Sequence, residues 1–143
     1  MILVGVDGSP ASRKALKWAL EHAKRSGETV EATMAYAAQE GLVPANTMGL
    51  NPYGETPHRR HPARDLHSIV EDVRATVPDA PSVAEVTVTG DAGTALSEAS
   101  RQADLLVVGT RGHGRLAEVF LGSVAADCLR HTACPVVVVP PDA

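Results

Sequence analysis

Asp104-Leu105-Leu106-Val107-Val108-Gly109-Thr110-Arg111-Gly112-His113-Gly114 runs an unbroken apolar segment into a glycine-rich loop, and Gly122-Ser123 then opens a stretch with helical spacing. A strand exposed on one face would alternate apolar and polar residues. The continuous run Leu105–Val108 therefore reads as a strand buried on both faces. The loop glycines let the backbone approach a phosphate and adopt positive φ. A helix starting at Gly122-Ser123 would turn free N–H groups and the positive end of its dipole toward that anion. Arg111, His113 and Arg115 add positive potential, and the Ser123 hydroxyl adds a donor or a metal ligand. Glycine loops at strand ends commonly bind anions. The alternative is a surface loop whose glycines serve to turn the chain.

Two familiar phosphate loops do not fit. The chain has no G-x-x-x-x-G-K-[ST], so this is not a P-loop. Gly112-His113-Gly114-Arg115-Leu116-Ala117 matches G-x-G-x-x-A, but it follows the fourth expected strand and a single strand comes after it. A dinucleotide fingerprint opens a βαβ unit and has an acidic ribose ligand at the end of the next strand. Neither condition is met, so the match is accidental.

Outward from the loop, segments of two periodicities alternate. Ile2–Asp7 is the other fully apolar strand. Ser9-Pro10 starts a helix with a hydroxyl cap and a proline in the first position. Helix Pro10–Arg25 puts Ala15, Leu16, Ala19, Leu20 and Ala23 on one face, leaves Trp18 off that stripe, and ends at Gly27. Thr29–Tyr36 alternates Val30, Ala32 and Met34 against Glu31 and Thr33. Gln39–Pro62 carries seven Gly and Pro residues, from Gly41 and Pro44 to Pro57 and Pro62, without a period, and reads as a long variable loop, mobile or acting as a lid. Then follow helix Ala63–Val77, stopped by Pro78 and Pro81, and strand Val83–Thr89, with Ala84, Val86 and Val88 alternating against Glu85, Thr87 and Thr89. Helix Ala92–Gln102, the Leu105–Val108 strand, helix Gly122–His131 and strand Val136–Val139 complete the chain.

The order β-α-β-α-β-α-β-α-β predicts a single doubly wound α/β domain over residues 1–143, with a parallel sheet and helices on both faces. The strands ending at Asp7 and Gly109 suit the centre, and those at Val30 and Val83 the margin. If the central two are neighbours, the chain reverses direction between them, and a ligand lies at the carboxyl ends of the strands there. Asp7 is then either a ligand or a plain turn-and-cap residue, since Asp-Gly-Ser favours both. Val136–Val139 is apolar throughout yet comes last, and a bare apolar edge invites aggregation. Its simplest cover is the same strand of a second subunit.

Composition narrows the partners. Of 143 residues, 44% are apolar and 3% aromatic, so Val, Leu, Ile and Ala must build the core. A net charge of −4 with no long basic run argues against nucleic acid. No apolar run is long enough to cross a bilayer, and the opening Met1-Ile2-Leu3-Val4 lacks the charged region of a signal peptide. Cys128 and Cys134 do not make a disulfide framework, and a cytoplasmic location is expected. Cys128 falls on an apolar helix face and reads as core. His58-Arg59-Arg60-His61 reads as a solvated loop, and His22, His67 and His131 as helix residues without convergent partners.

Gly109-x2-Gly112-x9-Gly122-Ser123 resembles the ATP-binding signature of the universal stress protein family, G-2x-G-9x-G-[S/T]. Ile2-Leu3-Val4-Gly5-Val6-Asp7-Gly8-Ser9 resembles that family's first strand and turn. Ala103–Gly109 and Cys134–Val138 resemble its fourth and fifth strands, so the likeness covers nearly the whole chain apart from about residues 40–65. The resemblance implies the family's ATP-binding subclass, a five-stranded parallel sheet of order 3-2-1-4-5, and a homodimer through Val136, Val137, Val138 and Val139. It also implies that Asp7 contacts the nucleoside and that Gly8 and Ser9 line the same turn. Ala35 would pack on adenine, where relatives often carry a larger aliphatic. Gly109, Arg111, Gly112, Gly122, Ser123 and Val124 would surround the phosphates. A divalent metal, Mg²⁺ or Mn²⁺, could bridge those phosphates, and the sequence shows no dedicated metal cage. The expected function is an ATP-binding sensor or regulator of a stress response. The alternatives are a slow ATPase or autophosphorylating enzyme with Ser9, Ser123 or a loop threonine as acceptor, and a dimer that binds another protein without using nucleotide.

Overall fold

The computed structural model describes residues 1–37, 61–110 and 121–142. Within them, five strands alternate with four α-helices. These are β1 (Ile2–Gly5), α1 (Pro10–Ser26), β2 (Val30–Tyr36), α2 (Pro62–Arg74), β3 (Val83–Thr89), α3 (Ala92–Ala99), β4 (Leu105–Gly109), α4 (Ser123–His131) and β5 (Val136–Val139). The sheet runs β3-β2-β1-β4-β5 with every neighbouring pair parallel. This is the expected 3-2-1-4-5 order. The long loop expected between β2 and α2 lies outside the described residues except at its last positions, His61 and Pro62.

Local chemistry sets the helix ends. Ser9 Oγ accepts from Ser12 N–H at 3.2 Å, Pro10 occupies the first helical turn, and Gly27 closes α1 with φ 79°. Helix α2 begins one residue earlier than its spacing suggested, because Pro62 takes a position that lacks an N–H partner anyway. It also ends sooner. Thr76 and Val77 bond back to Val73 and Arg74 at 2.9 and 3.0 Å, tightening the last turn before Pro78. The expected helix Ala92–Gln102 divides into α3 and a short 3₁₀ turn, Ser100–Gln102.

The two central strands bury both faces. Ile2 and Val4 on β1 join Val107 on β4 in one apolar cluster with Leu16 and Leu20 of α1 and Leu66 and Val70 of α2. Leu3 joins Leu106 and Val108 in a second cluster with Leu96 of α3 and Ala125 and Cys128 of α4. Helices thus cover both sides of the sheet. Fully burying one such aliphatic side chain is worth about 1.5–3 kcal/mol, so the unbroken runs of β1 and β4 are the main stabilising segments. The marginal strand β3 is less regular. Val83 packs against the first cluster, while Ala84, in the expected apolar row, is exposed and Val86 and Val88 are half-buried. An edge strand has a neighbour on one side alone, so burial does not enforce the alternation there.

Candidate functional site at the strand switch point

β1 pairs with β2 on one side and β4 on the other, so the chain winds outward through β2 and β3 and then crosses back over β1 to β4. The crevice beyond the carboxyl ends of β1 and β4 is the place where such sheets hold ligands. The last β1–β4 pair is Val4 with Val107. Asp7 and Thr110 each follow that pair by three residues, which brings the β1 turn and the start of the glycine loop to the same level.

On the β1 side, the chain turns through Gly8, whose φ of 85° strains any residue with a Cβ. Asp7 is exposed, and its Oδ1 accepts from Ser9 N–H at 2.9 Å. The turn is fixed by Ser12, a buried residue that the sequence reading missed. Its hydroxyl accepts from Asp7 N–H at 3.2 Å and donates to Ser9 C=O at 3.1 Å. The available signal was its place three residues after the capping Ser9. Ser9 itself is 1% exposed, with its hydroxyl used at the helix cap. Arg13 Nε donates to Gly8 C=O at 3.3 Å, which puts a guanidinium beside the turn.

On the β4 side, Gly109 lies against the start of α1. A Cβ there would fall 2.6 Å from Ala11 Cβ and 2.8 Å from the Ala11 carbonyl carbon. The end of β4 therefore packs directly on the start of α1 through this glycine. Thr110, also missed from sequence, ties the end of β4 both to β5 and to the start of α4. Its N–H donates to Val139 C=O at 3.0 Å, and its own carbonyl accepts from Gly122 N–H. That bond brings the start of α4 to the end of β4. Helical bonding begins with Ala126 N–H to Gly122 C=O at 3.0 Å, so the amides of Ser123, Val124 and Ala125 are the ones a helix start leaves over. Gly122 provides no side-chain cap and the first turn holds no acid, while Arg130 and His131 sit in the last turn. The positive end of a helix dipole and its leftover amides attract negative charge. Ser123 is exposed, and Val124 packs on the second cluster.

Ala35 stands near the end of β2, half-buried and in register with Val88. Arg111, Gly112 and His113 lie outside the described residues. Asp7, Gly8, Ser9, Gly109, Gly122, Ser123 and Val124 therefore gather at the switch point, with Ala35 at the end of the adjacent strand.

Two histidine expectations need correction. His67 does have a partner, because its Nδ1 lies 3.0 Å from a Glu85 carboxylate oxygen on β3. His22 lies 3.8 Å from Glu28 and stacks on Trp18 with ring centroids 5.0 Å apart. Helical spacing alone does not reveal partners supplied by a neighbouring strand or by the chain beyond the helix end. Cys128 is buried as expected. Burial, then the charges of Asp127 and Asp91, push its thiol up to about 11, so it remains a protonated packing group. No helix among the described residues is long and apolar enough to cross a membrane.

The model of the universal stress protein family matches residues 1–140. The universal stress protein UspA from Lactobacillus plantarum superposes with a TM-score of 0.74 at 25% identity, covering 96% of this chain and 95% of that one. A universal stress protein solved in complex with cAMP gives a TM-score of 0.68 at 28% identity, covering 98% and 95%. Universal stress protein Rv2623 of Mycobacterium tuberculosis is 33% identical over 141 residues, 96% of this chain and 46% of the relative. The chain thus spans about half the length of the curated relatives it matches. With a family match over almost all its residues and the sheet order and switch-point turn in place, the chain belongs to the universal stress protein family.

Proposed function

We propose that the chain binds an adenine nucleotide, ATP, at the switch point and works as a nucleotide-dependent sensor or regulator in a stress response. The observation that carries this reading is the start of α4. It has no side-chain cap and no acid in its first turn, and Thr110 ties it to the end of β4, level with the Asp7–Ser9 turn. The structural neighbour at 28% identity that was solved with cAMP supports an adenine nucleotide as the class of ligand. In this reading the amides of Ser123 and Val124 hold the phosphates, helped by Gly109, Arg111, Gly112 and Gly122. Asp7 meets the nucleoside, Gly8 and Ser9 offer backbone in the same turn, and Ala35 lies against adenine. Mg²⁺ or Mn²⁺ would be held chiefly by the phosphates, with the exposed Ser123 hydroxyl as a protein ligand. Such ions keep several waters and need no all-protein cage.

Turnover is the second reading. Of the serines proposed as phosphoryl acceptors, Ser123 is exposed, whereas Ser9 is buried at the cap of α1. Calorimetric titration with ATP and Mg²⁺ tests both readings. Saturable binding of one nucleotide per chain, with no ADP formed over hours, is the expected result. An absence of heat contradicts the proposal. ADP release that disappears in Ser123→Ala favours the enzyme.

A further inference from the structure

Away from the crevice, α2 and the edge strand β3 bring three metal-ligating side chains together. His67 and Glu71 stand four residues apart on α2, which places them on one helix face. Glu85 lies on β3 in the same row as Val83, the residue that packs beneath the helices. Both Glu85 oxygens face one ring nitrogen, with His67 Nδ1 3.1 Å from Oε1 and 3.0 Å from Oε2. One ligand atom from each of the three residues lies within 4.8 Å of the others, and all three residues are exposed.

The spacing suits an ion. Around tetrahedral Zn²⁺, bonds of about 2.0–2.2 Å separate neighbouring ligand atoms by roughly 3.4 Å. The His67–Glu85 pair already stands near that separation, and Glu71, paired with Arg74 at 3.2 Å, would rotate to close the remainder. A simple ion pair accounts for less of the arrangement. One N–H facing both oxygens of a carboxylate is an ordinary bifurcated contact, but a second carboxylate adds repulsion at the same place. Arg74 offsets that repulsion in part, with Nη1 3.2 Å from Glu71, but its Nε and Nη2 donate to the carbonyls of Pro81 and Ala80. One imidazole with two carboxylates favours Zn²⁺ and its transition-metal neighbours over Mg²⁺ or Ca²⁺.

We propose that His67, Glu71 and Glu85 form a surface site for a divalent transition-metal ion, with Zn²⁺ the best fit, which clasps α2 to the edge strand β3. Three protein ligands leave a position for water. The ion would bridge the two elements on either side of the connection 75–82 and hold the margin of the sheet.

The test uses the whole chain, stripped with a chelator and titrated with Zn²⁺ alone. Nucleotide is omitted, so the outcome is independent of the proposed ATP site. One Zn²⁺ per chain, a raised melting temperature and a shifted His67 ring signal in NMR spectra are expected. His67→Gln and Glu85→Gln should each weaken binding by about tenfold or more and abolish the melting shift. Both changes are near-isosteric and at exposed positions, and circular dichroism checks that the fold is kept. The proposal is overturned by a lack of saturable binding. It is equally overturned if Zn²⁺ binds both variants as tightly as the parent, which would place the ion on other histidines.

Discussion

A methyl group on Gly109 would meet Ala11 at 2.6 and 2.8 Å, and part of what it meets is backbone that cannot rotate away. Overpacking of this kind costs roughly 1–3 kcal/mol. Gly109→Ala is therefore expected to lower the unfolding free energy by about 2 kcal/mol in urea denaturation, and a loss under about 0.5 kcal/mol would contradict that packing role. Gly122 differs. Its φ of −69° and ψ of 169° suit any residue, so its own backbone does not demand glycine. The two glycines share one sequence pattern, and spacing alone could not separate them. A glycine signature reports where a side chain is excluded, but not whether a neighbouring helix or a ligand excludes it. Ser12 and Thr110 escaped notice for a related reason. Each acts by hydrogen bonds to backbone, which leave no compositional trace.

At the scale of elements, the continuous apolar runs were the most legible part of the fold. Ile2, Leu3 and Val4 enter different clusters on the two sides of the sheet, as do Leu106 and Val107. A segment of that kind has few alternatives to a central parallel strand. β3 was legible as a strand but not in its facing, because an edge position leaves both rows partly open. The end of α2 was misjudged for a different reason, since Val77 is buried in the turn after the helix and so extends the apolar spacing beyond it. β5 occupies the edge expected for it, with Val136, Val137 and Val138 half-buried. Covering that edge with the same strand of a second chain is the proposal that follows. Val137→Asp should then convert a dimer to monomer in sedimentation equilibrium, with circular dichroism confirming the fold. A dimer of undiminished affinity would remove β5 as the interface.

At the scale of the whole molecule, the crevice is assembled from the two ends of the chain. The first strand and its turn supply Asp7, Gly8 and Ser9, and the last β-α unit supplies Gly109, Gly122 and Ser123. The parallel order 3-2-1-4-5 makes these distant segments neighbours. The unbroken apolar runs and right-handed crossovers narrowed the possible windings, and the full strand order was an implication of the family resemblance. The proposed adenine contact was less legible, since Ala35 contributes little surface of its own. The chain also spans about half of its curated relatives, so the activity and partners of those whole proteins belong to it as proposals. The proposed function requires that phosphates sit on the amides left over at the start of α4. Backbone amide NMR during titration with ATP and Mg²⁺ tests it most directly. The largest shifts are expected at Ser123, Val124 and Ala125, with a second group at Asp7, Gly8 and Ser9. Saturating ATP that leaves the Ser123–Ala125 amides unmoved, or shifts confined to another face of the sheet, would contradict the account.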